Sequence, residues 1–146
     1  MPKEDYIFYA DSVHNPFGEK SDEELYEITS NIVDYLLENN CKIIVIACNT
    51  ATTACMLKLR EKYPAVIFVG TVPAIKVAYD RNCRSTLILS TDYTMKSHRV
   101  NELLAEYHHK DQEIMNISGR ELAHLIELDE KDKIKETKNT KQKLRK

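Results

Sequence analysis

Residues 44 to 54 read Ile-Val-Ile-Ala-Cys-Asn-Thr-Ala-Thr-Thr-Ala, and they concentrate the groups that could do chemistry. Cys48 follows a run of β-branched residues, Ile43 to Ile46, and precedes a helix-forming pattern. A thiol facing the amino end of a helix is expected to have a lowered pKa and to reach the thiolate form, which acts as nucleophile or base. Asn49, Thr50, Thr52 and Thr53 bring an amide and three hydroxyls to the same turn. With the first helical amides they would form a cradle suited to a carboxylate. A proton on the carbon next to a carboxylate is weakly acidic, and a desolvated thiolate is one base that can remove it. The same residues also describe a buried cysteine at a strand end, with Asn and Thr capping a helix. From residue types alone both readings stand.

A small polar cluster after a buried strand is useful only if a sheet holds it, because open α/β sheets bind ligands outside the carboxyl ends of their strands. The chain supplies such elements in alternation. Tyr6 to Tyr9 form a first strand candidate, followed by a loop through His14, Pro16, Phe17 and Gly18. Ser21 and Glu24 have the spacing of a capping box, opening a helix that carries Leu25, Ile28, Ile32, Tyr35 and Leu36 to about Asn39. A buried strand over 42–47 leads to a helix from Thr50 to Lys62, with Ala54, Leu57 and Met56 as its sheet-facing residues. Val66 to Val69 read as a third strand, and a short helix begins near Pro73. Leu87 to Leu89 read as a fourth strand, residues 94–108 as one helix, Ile114 to Ile117 as a fifth strand, and 120–128 as a short helix. Strand and helix alternating in this way mean βαβ units and a parallel sheet.

Composition narrows the classes. The 146 residues are 42% hydrophobic and 30% charged, enough for a globular core. A net charge of −2 gives no global basic field for nucleic acid, so no nucleic-acid partner is expected. No apolar run reaches the roughly 20 residues that span a membrane, and the polar start lacks a signal-peptide core. The expectation is a cytoplasmic protein with no membrane contact. Cys41, Cys48 and Cys55 recur every seven residues, unlike paired zinc ligands, so no metal is expected; Cys41 and Cys55 read as small buried hydrophobes. Three glycines and the absence of Gly-x-Gly-x-x-Gly or a P-loop weigh against a nucleotide cofactor. His14 reads as a solvated loop residue, His108-His109 as partners of a helix end, and Asp92 as a helix cap. Residues 129–146 are Lys-rich and read as a disordered tail.

Four segments carry a resemblance. Ala47-Cys48-Asn49-Thr50-Ala51, Pro16-Phe17-Gly18-Glu19-Lys20-Ser21, Gly70-Thr71-Val72-Pro73-Ala74-Ile75-Lys76 and Ser90-Thr91-Asp92-Tyr93-Thr94-Met95-Lys96-Ser97 resemble, in order and spacing, motifs of the glutamate racemases within the aspartate/glutamate racemase superfamily. The similarity covers about residues 5 to 128. It implies an α/β three-layer sandwich with a parallel sheet, in an incomplete two-domain architecture: a partial first domain over 1–82, the first half of a second over 83–128, then the tail. It implies cofactor-independent interconversion of L- and D-glutamate by two cysteines on opposite sides of the α-carbon, supplying D-glutamate for peptidoglycan. Cys48 would be the first of the two; Phe17, Gly18, Asn49, Thr50 and Thr94, with Thr91 as a less favoured choice, would bind the substrate. A homodimer is the assembly this allows. The family's opening Phe-Asp-Ser-Gly and its second Gly-Cys-Thr-His motif do not occur in the chain. The expectation is therefore a fragment, with a catalytically dead α/β module that binds a small carboxylate or a partner chain as the alternative.

Overall fold

The computed structural model describes residues 4–107 and 111–126, so His108-His109 and the Lys-rich tail lie outside the described residues. Helix α1 (Asp22–Glu38) starts where the capping-box spacing places it. The Ser21 hydroxyl accepts from the Glu24 amide, and the Glu24 carboxylate accepts from the Ser21 amide at 2.9 Å. It ends at Asn39, and Asn40 takes a left-handed φ of 61°, a conformation that Asn tolerates better than most residues. Strand β1 (Ile43–Ile46) feeds α2 (Asn49–Lys62), which returns to β2 (Ile67–Gly70). β1 and β2 pair in parallel, Ile43 opposite Ile67 through Ile46 opposite Gly70. After α3 (Ile75–Asp80), strand β3 (Ser85–Ser90) leads through α4 (Asp92–Lys96) and α5 (His98–Tyr107) to β4 (Glu113–Ser118). β3 and β4 also pair in parallel, Ser85 opposite Glu113 through Ser90 opposite Ser118. Helical backbone resumes over 120–126. The parallel α/β reading thus holds, in two two-stranded sheets.

Two cores hold these elements. Leu25 and Val33 of α1, Cys55, Met56 and Leu59 of α2, Ile44, Ile46 and Phe68 of the strands form the first. Ile75, Ile88, Val100 and Leu103 form the second, so α3 packs toward β3 and α5. Among the described residues only one face of each sheet is covered. Ile44, Ile46 and Phe68 are buried, while Ile43, Val45, Ile67 and Val69 on the other face are exposed. Leu87, Leu89, Met115 and Ile117 are likewise exposed on the second sheet. Each such side chain forgoes about 1.5–3 kcal/mol that full burial would return.

Three expectations change. Tyr6 to Tyr9 form no strand, and Tyr6 and Phe8 are exposed; no neighbouring strand takes their backbone groups. Leu57 is exposed and Leu59 fully buried, because the α2 stripe runs through Cys55, Met56 and Leu59. The helix expected over 94–108 is two helices. Ser97 separates them: its hydroxyl donates to the Thr94 carbonyl at 2.6 Å and accepts from the Val100 amide at 3.4 Å, a local side-chain bond that competes with helix continuation.

The two cores are joined by a bond remote in sequence, from the Tyr93 phenol to the Asp22 carboxylate at 2.5 Å. Burial first, and then the Asp22 carboxylate beside it, push the Tyr93 phenol well above its ordinary value. A group whose folded pKa is raised contributes stability below its unfolded pKa and loses it as pH rises toward the folded one. Stability should therefore begin to fall above about pH 10, the ordinary tyrosine value. Denaturant titrations from pH 8 to 11 should show a shallower alkaline loss in Tyr93→Phe, whose stability at pH 8 should be about 1 kcal/mol lower.

Candidate functional site

The carboxyl ends of β1 and β3 and the loop before α1 converge on one place. Cys48 is the N-cap residue of α2, in extended backbone, and its side chain makes no capping bond. It is exposed, so its sulfur is not spent on local structure. Its carbonyl accepts from the Thr52 amide at 2.9 Å, which fixes the backbone beneath the thiol. Asn49, half-buried, opens the helix, and its side chain bonds no other described residue.

The threonines divide into two jobs. Thr52 donates to the Ile46 carbonyl at 3.1 Å and accepts from the Thr71 amide at 3.2 Å, tying the ends of β1 and β2 together. Thr53 donates to the Asn49 carbonyl at 3.0 Å. These two hydroxyls are committed to backbone, so the cradle expected of all the 47–53 side chains contracts to Asn49 and Thr50. Thr50 turns toward the second core. Its hydroxyl lies 3.0 Å from that of Thr91 and 3.2 Å from that of Thr94, and Thr91 donates to Thr94 at 3.0 Å. The three hydroxyls close a triangle, in which each bond polarises the next. Thr91 also caps α4 by accepting from the Thr94 amide at 3.2 Å. Thr50 and Thr94 are buried, at 3% and 1% exposure, and Thr91 is the member of the triangle that reaches open space.

The Phe17–Glu19 turn rests on this triangle. A Cβ on Gly18 would stand 2.9 Å from the Thr91 Cβ, so only glycine allows the loop this close. Pro16, Gly18, Glu19, Thr91, Asp92, Arg120 and His124 line a cleft of about 230 Å³ beside it. Arg120 crosses the cleft and donates from Nε to the Glu19 carboxylate at 2.9 Å. The structure therefore brings Gly18, Thr50 and Thr94 together through Thr91, with Cys48 and Asn49 two and one residues before Thr50. Phe17 is half-buried and packs against the first core instead.

Thr91, placed second to Thr94 as a substrate contact from the sequence, joins Thr50 and Thr94 in the triangle and is the member that lines the cleft; the Thr-x-x-Thr spacing is also that of an N-cap and its third helical residue. The Glu19–Arg120 pair, 101 positions apart, had no sequence signal. His14 is not simply solvated: its Nδ1 lies 2.7 Å from the Asp11 carboxylate, which also accepts the Val13 and His14 amides. Asp92 is exposed in the first turn of α4 and lines the cleft. Among the described residues no three His, Cys, Asp or Glu side chains converge on a metal site, and no described helix is long and apolar enough to cross a membrane. Cys55 is buried, and burial pushes its thiol pKa up.

No protein-family model matches the chain. Individual proteins do. The glutamate racemase of Clostridium acetobutylicum is 39% identical over 128 residues, 87% of this chain and 50% of that protein. The glutamate racemase of Pseudomonas aeruginosa is 44% identical over 109 residues, 73% of this chain and 41% of that protein. Among solved structures, Escherichia coli glutamate racemase, in complex with L-glutamate and the activator UDP-MurNAc-Ala, superposes with a TM-score of 0.68 at 35% identity, covering 77% of this chain and 42% of that one. The chain thus spans about half the length of the curated relatives it matches. The resemblance read from the four motifs is upheld in both sequence and fold.

Two outcomes are expected from this geometry. Under native conditions iodoacetamide should alkylate Cys48 first and Cys55 only on unfolding, as peptide mass spectrometry would show. Gly18→Ala should displace the Phe17–Glu19 turn from Thr91 at a cost of about 1–3 kcal/mol, as overpacking does, read as a lowered denaturant midpoint and changed amide shifts at Thr91 and Thr94.

Proposed function

We propose that this relative of the glutamate racemases acts on the α-carbon proton of glutamate, with Cys48 as the base for one face. The observation that carries the reading is an exposed thiol, making no capping bond, at the carboxyl end of a parallel strand and two residues before Thr50 of the Gly18–Thr91–Thr50 junction. In the step, the Cys48 thiolate takes the α-proton and becomes a thiol, and the electron pair of the broken C–H bond stays on the substrate, delocalised into its carboxylate. Asn49, whose side-chain amide bonds no other described residue, binds the amino acid head. The Gly18 backbone and the first-turn amides of α2 hold a carboxylate, while the Thr50, Thr91 and Thr94 hydroxyls, bonded to one another, position that turn against the loop. No cofactor enters the step. Inversion requires a second acid on the opposite face, which in a two-thiol racemase is another cysteine. The product, D-glutamate, serves bacterial wall synthesis in the cytoplasm.

One observation favours the second reading, an inert carboxylate-binding module. Among the described residues Cys48 is the exposed thiol, while Cys41 and Cys83 are half-buried and Cys55 is buried. A single base addresses a single face of the α-carbon. The chain alone, incubated in deuterated water with each enantiomer of glutamate separately, should therefore wash deuterium into the α-position of one enantiomer, with little inversion. Cys48→Ser should lower that exchange at least about 100-fold, within the usual contribution of a positioned acid or base. Glutamate binding without exchange from either enantiomer would establish the inert module in its place.

A further inference from the structure

The Phe17–Glu19 turn is weakly held from within. The Glu19 amide reaches the Pro16 carbonyl at 3.5 Å and the Lys20 amide reaches the Phe17 carbonyl at 3.3 Å, and Pro16 supplies no side-chain cap. Both bonds are long for N–H···O contacts. Yet Gly18 lies so close to Thr91 that a Cβ would not fit between them. Contacts from outside the turn therefore set its position. On one side of Gly18, Phe17 packs against the first core. On the other side, the Glu19 carboxylate accepts from the Arg120 Nε at 2.9 Å. Arg120 in turn is fastened to the strand end that carries Thr91. The Gly119 amide donates to the Ser90 carbonyl at 2.8 Å, and the Arg120 amide donates to the Ser118 hydroxyl at 3.4 Å. Thr91 and Arg120 thus grip the turn at two neighbouring points, Gly18 and Glu19.

We propose that Arg120 is a positioning residue for the carboxylate subsite: by holding Glu19 it keeps the Gly18 backbone on Thr91, and it sets the affinity for an amino-acid carboxylate without touching it. What the turn binds rests on the racemase reading; that the ion pair sets the turn does not. A guanidinium suits the task, because it stays charged and donates in a fixed plane. The two side chains are 64% and 46% exposed, so the pair is a modest hold that salt screens.

The test is a charge swap in the full chain. Glu19→Arg alone and Arg120→Glu alone each place like charges across the cleft, at exposed positions where the fold tolerates them. In the α-deuterium exchange assay each should raise the half-saturating glutamate concentration about two- to fivefold, the scale of an exposed ion pair, and move the maximal exchange rate less. The double variant, with the pair reversed, should return the wild-type value. Amide hydrogen exchange without glutamate reads the turn itself. Protection at the Lys20 and Thr94 amides should fall in each single variant, recover in the double variant, and fall in the wild type at high salt. Single variants that change neither protection nor half-saturation overturn the proposal. A double variant that regains protection but not glutamate affinity also overturns it, since one of the two side chains would then touch the substrate directly. A wild-type chain that exchanges no α-proton ends the racemase reading, while loss and rescue of protection still decide whether the pair sets the turn.

Discussion

The arrangement of this molecule depends on one triangle of hydroxyls. Thr50 at the start of α2, Thr91 at the end of β3 and Thr94 in α4 bond one another at 3.0 to 3.2 Å. Among the described residues no strand pairing joins the β1–β2 sheet to the β3–β4 sheet. What fixes the two units in the region of Cys48 is this triangle, supported by the Tyr93–Asp22 bond and by the turn at Gly18 lying on Thr91. Hydroxyls suit such a junction. Each donates once and accepts more than once, so three of them satisfy one another in a buried site without introducing charge. Removing one leaves its partners buried with unmet polar atoms, which costs more than the bond itself contributes.

The triangle also explains where the reactive group sits. Helix α2 begins where β1 ends, and the Cys48 carbonyl is held by the Thr52 amide while the Thr52 hydroxyl holds the Ile46 carbonyl. The backbone is thus held by hydrogen bonds on both sides of Ala47, and the Cys48 side chain is exposed. Gly70 lets β2 come close to that turn, since a Cβ there would fall 2.5 Å from the Thr52 methyl.

Much of this was legible in the residues, for identifiable reasons. The β-branched run at 43–46, the Ser21–Glu24 capping box and the spacing of Val100 and Leu103 all carry local signals, and the structure follows them. The candidacy of Cys48 and Gly18 rests on motif resemblance, where type and order coincide. What was not legible depended on contacts distant in sequence. The run Ile43 to Ile46 reads as buried on both faces, whereas burial alternates because one face lacks a cover. The Tyr6–Tyr9 segment has strand composition but no strand beside it. The commitment of Thr52 and Thr53 to backbone, and the role of Thr91 as the junction in place of a secondary contact, depend on where β2 and α4 arrive, which spacing alone does not encode.

The central claim is that Cys48, at this junction, faces the α-carbon of an acidic amino acid. A crystal structure of the chain grown with glutamate tests it most directly. The account predicts the α-carbon about 3–3.5 Å from the Cys48 sulfur, the separation of reacting atoms poised for transfer, with a carboxylate at the Gly18 backbone and the first-turn amides of α2, and the Asn49 side-chain amide on the amino acid head. Glutamate bound with its α-carbon away from that sulfur, or held only in the cleft by Arg120, would contradict it.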